Sequence, residues 1–266
     1  MRFATSVSAG FAALVFSLSA RAEQAVFTPQ ADATLFEDNP EFASGAGDFL
    51  FVGPIASGSQ RRALLRFDLS SIPAGARVNS VSLRFTVDRA AIASSLTDQA
   101  YLHRVLAPWG EGSSNAGSGG AGTAAAPGDA TWNHRYFGIA AGGQAHTFWL
   151  TAGGEFVSAP SVVISLGGPG NYTMPSTPQL VADVQQWLDA PPQAFGWILR
   201  GPEGAEFSQR ARRIYSRNSP AIDGRPQLTV FYTVVPPGAA TRTVPLPSWT
   251  LAVAAAILVM VGTRRR

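Results

Sequence analysis

The feature that most constrains this chain is a period of two. In the run RVNSVSLRFTV, Val81, Leu83, Phe85 and Val87 fall on one side of an extended chain, while Ser80, Ser82, Arg84 and Thr86 fall on the other. Successive side chains of a strand point to opposite faces, so this alternation marks a strand with one face buried and one toward water. The run ALLRFDL repeats it with Ala63, Leu65, Phe67 and Leu69. Further short apolar runs begin at Phe49, Ala100, His146, Ser161, Phe195, Arg213 and Leu228, separated by Gly- and Pro-rich turns. Roughly nine or ten such strands predict an all-β fold, a jelly-roll-like antiparallel β-sandwich.

One stretch departs from that rhythm. In PQLVADVQQWLDAPP, the apolar Leu180, Val181, Val184, Trp187 and Leu188 recur at helical spacing, and Pro191 and Pro192 end the pattern. This predicts one short helix capping an end of the sandwich. Residues 110–130, GEGSSNAGSGGAGTAAAPGDA, hold too few apolar side chains to pack and are expected to form a mobile surface loop. No internal repeat is visible.

The two ends differ from the body. The opening MRFATSVSAGFAALVFSLSARA has a basic Arg2, an apolar stretch and the small-x-small pattern Ala20-Arg21-Ala22. It predicts a signal peptide over residues 1–22, with an N-terminal signal helix, removed by signal peptidase to leave Glu23 first. The other end, VPLPSWTLAVAAAILVMVGTRRR, is apolar up to Gly262 and then closes on Arg264, Arg265 and Arg266. Counted from Val244, it reaches the roughly 17–25 apolar residues that cross a bilayer. Residues 248–266 are therefore expected to be a C-terminal transmembrane helix, with the arginines cytoplasmic and the preceding domain outside. Between the ends lie one β domain, residues 23–234, and a Pro-rich linker, residues 235–247.

Charge has to be read with those ends set aside. The formal net charge is +3, and all 20 basic residues are arginine. Six of these lie in the terminal segments, whereas all 17 acids lie between Glu23 and Asp223. Fourteen arginines against 17 acids leave the body at −3, which argues against a nucleic-acid partner. The absence of cysteine excludes a disulfide scaffold, a thiolate metal site and a cysteine nucleophile. Stability then rests on the core, and about 215 residues suffice for one.

Several blocks also carry a resemblance. ADATLFED, LLRFDLSSIPAGARVNSVSLRF, PWGEGSSN with ATWNHRY, LVADVQQWLDAPPQAFGWILR, and RIYSRNSP with RPQLTVFY occur in that order. Together they resemble the DNRLRE-type domain, a secreted β-sandwich module of bacterial surface and polysaccharide-associated proteins, over residues 31–232. The resemblance implies a non-catalytic, surface-displayed domain that binds extracellular polysaccharide, since some relatives look like alginate-binding modules. The tail is similar to PEP-CTERM and IPTL-CTERM sorting signals, which implies processing by an exosortase-type enzyme. It has neither the Pro-Glu-Pro of the first nor the Pro-Thr-Leu of the second. Physics alone accounts for much of these blocks: Phe67, Leu69, Ile72 and Val78 read as core, and Pro73 and Gly75 as turn residues. Asp68 reads as a turn acceptor, and Trp109, Trp132 and Trp187 as organisers of the core.

Candidate chemistry is sparse. His103, His134 and His146 show no metal-binding spacing, and no nucleophile elbow, phosphate loop or dinucleotide fingerprint occurs. The acids Glu37, Asp38 and Glu41, and Glu203 with Glu206, sit close in sequence but read as solvated loop residues rather than a glycosidase pair. Tyr136 beside His134 and Arg135 is the one local group of lyase type. A structural calcium ion would draw on Asp32, Asp68 and Asp183; no other cofactor is expected. The uneven feature is QRARRIYSR: Arg210, Arg212, Arg213 and Arg217 around Tyr215, with Arg61 and Arg62 as a second pair. Guanidinium groups grip carboxylates and aromatic faces stack on sugars, so these residues are the expected site for an acidic polysaccharide. The alternatives are that the arginines pair with the chain's own acids in a structural or adhesive surface protein, or that the chain degrades polysaccharide.

Overall fold

The period-two run forms β6 (Arg77–Ala90), the longest strand of the first sheet. The computed structural model describes residues 21–91 and 97–234. β6 pairs antiparallel with β15 (Gln227–Val234), β14 (Arg212–Tyr215) and β12 (Gly170–Met174). β1 (Arg21–Phe27) pairs with β15, and β4 (Phe49–Val52) with β14. The second sheet runs β11 (Val162–Leu166), β7 (Asp98–Arg104), β13 (Trp197–Arg200), β5 (Arg61–Arg66), β2 (Ala31–Phe36), antiparallel throughout. Two short pairs, β3 (Phe42–Ala43) with β8 (Thr123–Ala124) and β9 (His134–Tyr136) with β10 (Thr147–Phe148), complete the set.

The inner faces of the two sheets share one core. Leu83, Phe85 and Val87 from β6 meet Ala63 and Leu65 from β5, Leu102 from β7, and Leu199 from β13. The architecture is thus an all-β sandwich, and the residues expected on the buried side of β5 and β6 are there. Each fully buried Leu, Val or Phe contributes about 1.5–3 kcal/mol, so this shared face is the main source of stability. The run HTFWL, expected as a strand, keeps only Thr147–Phe148 in β10. Trp149 turns inward beyond it and Leu150 is left 91% exposed, so the run does not stay extended on one sheet.

The single helix, α1 (Pro178–Asp189), starts where the sequence places it. Thr177 is its N-cap, accepting the Leu180 amide at 3.0 Å, and Pro178 takes the first turn, where a missing N–H costs nothing. Leu180, Val184 and Trp187 join the main core. Asp183 lies on the same buried face. It accepts from Ser161 Oγ at 2.5 Å, Trp197 Nε1 at 2.9 Å and Gln179 Nε2 at 3.1 Å, with Arg104 3.2 Å away as its ionic partner.

The second sheet is covered on its outer face as well, which the sequence reading did not anticipate. Ala31, Ala33, Leu35, Leu64 and Ile198 form a separate core with Trp109, Trp132 and Trp149, carried by the long connection from β7 to β11. Trp109 and Trp132, read as partners of Trp187, therefore serve a different core. Residues 110–130 lie largely at the surface, as expected, but are tied down: β8 pairs with β3, and the Gly120 carbonyl accepts from Arg61 Nε at 2.8 Å. Asp129, fully buried, accepts the amides of Ser113 at 2.8 Å and Ala126 at 2.7 Å, together with the Ser114 hydroxyl. The segment packs by satisfying polar groups rather than by burying apolar area, a property its composition does not show.

The expected signal peptide and tail fall almost wholly outside the described residues, as does the linker. Arg21 and Ala22, the last two residues of the expected signal, open β1, where Arg21 pairs with Val234. Among the described residues, no helix is long and apolar enough to cross a membrane.

Candidate functional site

The seven residues expected to bind polysaccharide do not form one surface. On β14 the strand period separates them: Arg212 and Ile214 point inward and are buried, whereas Arg213 and Tyr215 point outward. Arg212 donates from Nη2 to Asp98 at 2.9 Å and from Nε to the Gly167 carbonyl at 2.7 Å, and Arg210 reaches the same Asp98 at 3.6 Å. Arg213 is paired with Asp88, which also accepts the Tyr215 hydroxyl at 3.0 Å and so holds the phenol above its ordinary pKa. Arg217 donates from Nε and Nη2 to the two oxygens of Glu111, at 2.5 and 2.8 Å. Arg61, only 1% exposed, meets Asp38 at 2.8 Å. Each guanidinium of the expected site thus already holds a carboxylate of the same chain.

The three acids considered for calcium are likewise dispersed. Asp68 is exposed and accepts the Ser70 amide at 2.9 Å, the turn role expected of it. Asp183 is occupied by the four groups described above. Asp32, on β2, accepts the Arg217 amide through Oδ2 at 2.7 Å, while Oδ1 is buried without a partner. Burial pushes the Asp32 carboxyl up to about 8, and neighbouring Glu111 adds to the rise. No group of three metal-binding side chains occurs among the described residues.

A different constellation lies on the outer face of the second sheet, beyond the edge of the tryptophan core. The register sets Leu35 beside Arg62, Arg62 beside Arg200, and Arg200 beside Tyr101, so one row of side chains crosses four strands. Arg62 lies 4.6 Å above the Trp132 ring and 5.5 Å from the Phe156 ring. Arg200 lies 5.9 Å from Tyr101 and 5.4 Å from Phe156. Phe156 also packs on His103 at 5.0 Å. Gly153 lets this arrangement close: its carbonyl accepts from Arg62 Nη1 at 2.7 Å, its φ is +83°, and an added Cβ would sit 2.4 Å from that nitrogen. Only glycine meets both demands.

One carboxylate serves both arginines. Glu203 Oε1 accepts Arg62 Nε at 2.9 Å and lies 2.8 Å from Nη2. Its other oxygen is 3.6 Å from Arg200, beyond hydrogen-bond range, and the Arg200 Nε–H is buried with no acceptor. Burial draws the Arg62 pKa down, and Glu203 opposes that. His103 is also incompletely used. Its Nδ1 faces the Val157 carbonyl at 2.9 Å and so must carry the proton, while Nε2 is buried without a partner. Burial lowers the His103 pKa, so that nitrogen is a free acceptor. Beside this row, Arg62 and Glu203 line an open cleft of about 700 Å³ with Glu37, Ser57, Gln60 and Ser208.

Sequence reasoning named Arg62 but missed Arg200, Tyr101 and Phe156. AYLHRVL and FGWILR were both legible as strands, yet nothing local says that Arg200 and Tyr101 are register partners. No family model matches the chain, and no curated protein does.

Proposed function

We propose that the chain is a non-catalytic exported surface domain, jelly-roll-like and of the DNRLRE type, that binds polysaccharide on the outer face of its second sheet. The observation that carries this is the arginine–aromatic row, Arg62 on Trp132 and Arg200 on Tyr101 and Phe156, with Arg62 also lining the polar cleft. Aromatic faces take the apolar side of a sugar ring, and a guanidinium beside them takes hydroxyls or a carboxylate. Residues 1–22 act as the signal peptide, and residues 248–266 hold the chain in the membrane until a sorting enzyme of exosortase type acts.

A binding role is favoured over catalysis because the acid displaced furthest toward neutral pH, Asp32, is 0% exposed and has no access to a substrate. A purely structural or adhesive role draws support from the pairing of Arg210, Arg212, Arg213 and Arg217 with acids of the same chain. Affinity electrophoresis of the full chain through polygalacturonate and through a neutral glucan separates the two. Retention that Arg200→Ala weakens and Arg213→Ala does not is the expected result; free migration through every glycan would leave the structural role standing.

A further inference from the structure

We propose that Glu203 is a built-in competitor, a tethered carboxylate holding the place that an acidic group of the ligand takes when it binds between Arg62 and Arg200. This inference rests on the glycan-binding reading of the same face and adds its regulation.

The geometry is that of an occupied but imperfect site. A carboxylate between two guanidiniums is best held when each donates to one oxygen. Glu203 does this for Arg62 alone and stands off from Arg200 by 3.6 Å. Its reach is set by its tether, three residues along the chain from Arg200 on the turn leaving β13. A ligand carboxylate carries no such tether and can bridge both.

Two buried polar groups of the same row are also unmet. Arg200 Nε–H lacks an acceptor and His103 Nε2 lacks a donor. A sugar hydroxyl is the common group that can accept from the first kind of atom and donate to the second. A uronic acid brings both a carboxylate for the two arginines and hydroxyls of that kind.

The means of release are present. Glu203 is 27% exposed at its side chain, so it can turn out to water without unfolding anything. Gly204 follows it at φ +135°, a conformation closed to L side chains, which gives the turn a permissive joint. Downstream the chain is fixed again by Gln209 donating to Ile55 at 3.0 Å and Arg210 donating to Pro54 at 2.9 Å, so movement stays within the turn.

The test measures affinity of the full chain for a trigalacturonate probe by calorimetry at one ionic strength, with Glu203→Gln against Glu206→Gln. Glu206 is an exposed acid on the same turn, so its variant changes net charge equally without freeing an arginine. The expected result is binding tightened about 5-fold or more by Glu203→Gln alone. Adding Arg200→Gln to that variant should abolish the gain, while binding of a neutral trisaccharide should not change. Equal tightening by both glutamine variants would reduce the effect to net charge and overturn the proposal. Wild-type binding that Glu203→Gln leaves unchanged or weakens would overturn it and spare the glycan reading. No binding by any variant would remove both. Unfolding midpoints of each variant show that the protein compared is folded.

Discussion

Asp32 is the residue whose surroundings conflict most with its chemistry. It is fully buried on β2, its amide donates to Glu111 Oε1 at 2.9 Å, and one carboxylate oxygen has no partner. The folded chain holds its proton up to about 8, whereas the unfolded chain releases it near the ordinary aspartate value of 3.8. An acid with a raised folded pKa makes stability greatest below the lower value and erodes it as pH rises through the window between the two. Asp32→Asn removes that titration and keeps an oxygen for the Arg217 amide. The difference in unfolding midpoint, Asn variant minus wild type, should grow between about pH 5 and about pH 8. Each kcal/mol relieved is worth about 2–4 °C in a domain of this size. A constant difference across that range would show that Asp32 is ionised in the folded protein.

At the scale of elements, α1 shows how local and long-range terms divide. Its start is local: Thr177→Ala removes the cap bond to Leu180 and should cost about 1 kcal/mol in chemical denaturation. Its position is not local, because Asp183 ties it to Ser161, to Trp197 on β13 and to Arg104 on β7. Asp183→Ala leaves the Trp197 N–H and Arg104 without their acceptor, and the expected cost is about 3–5 kcal/mol. Denaturation in parallel with Thr177→Ala checks the order; a smaller loss for the Asp183 variant would mean that helix packing, not this carboxylate, fixes the register. β14 teaches the complementary lesson. The QRARRIYSR run looks like one basic patch when read as a string, but a strand sends Arg212 and Arg213 to opposite faces, where each meets a different acid.

For the whole molecule, the question is how far the second core stands apart from the first. Trp109 anchors it: its indole N–H donates to the Phe195 carbonyl at 2.8 Å, and Arg66 lies 5.1 Å from its ring. Trp109→Ala should cost about 3–5 kcal/mol. Hydrogen exchange should rise first across residues 105–157, with β6 protected until global unfolding, because the two cores are separate clusters of buried residues. Uniform loss of protection would make the two cores one cooperative unit. Local patterning by itself, period two in the strands and helical spacing from Leu180 to Leu188, determined the all-β class, the buried sides of β5 and β6, and the site of α1, since each depends on residues only a few positions apart. The tertiary structure alone decided that the arginines are claimed by acids up to 141 positions away, that residues 110–130 are tied down, and that Arg62, Arg200 and Tyr101 form a row. Strand register and ion pairing join residues distant in sequence, and a local pattern carries no record of which distant partner the fold will supply.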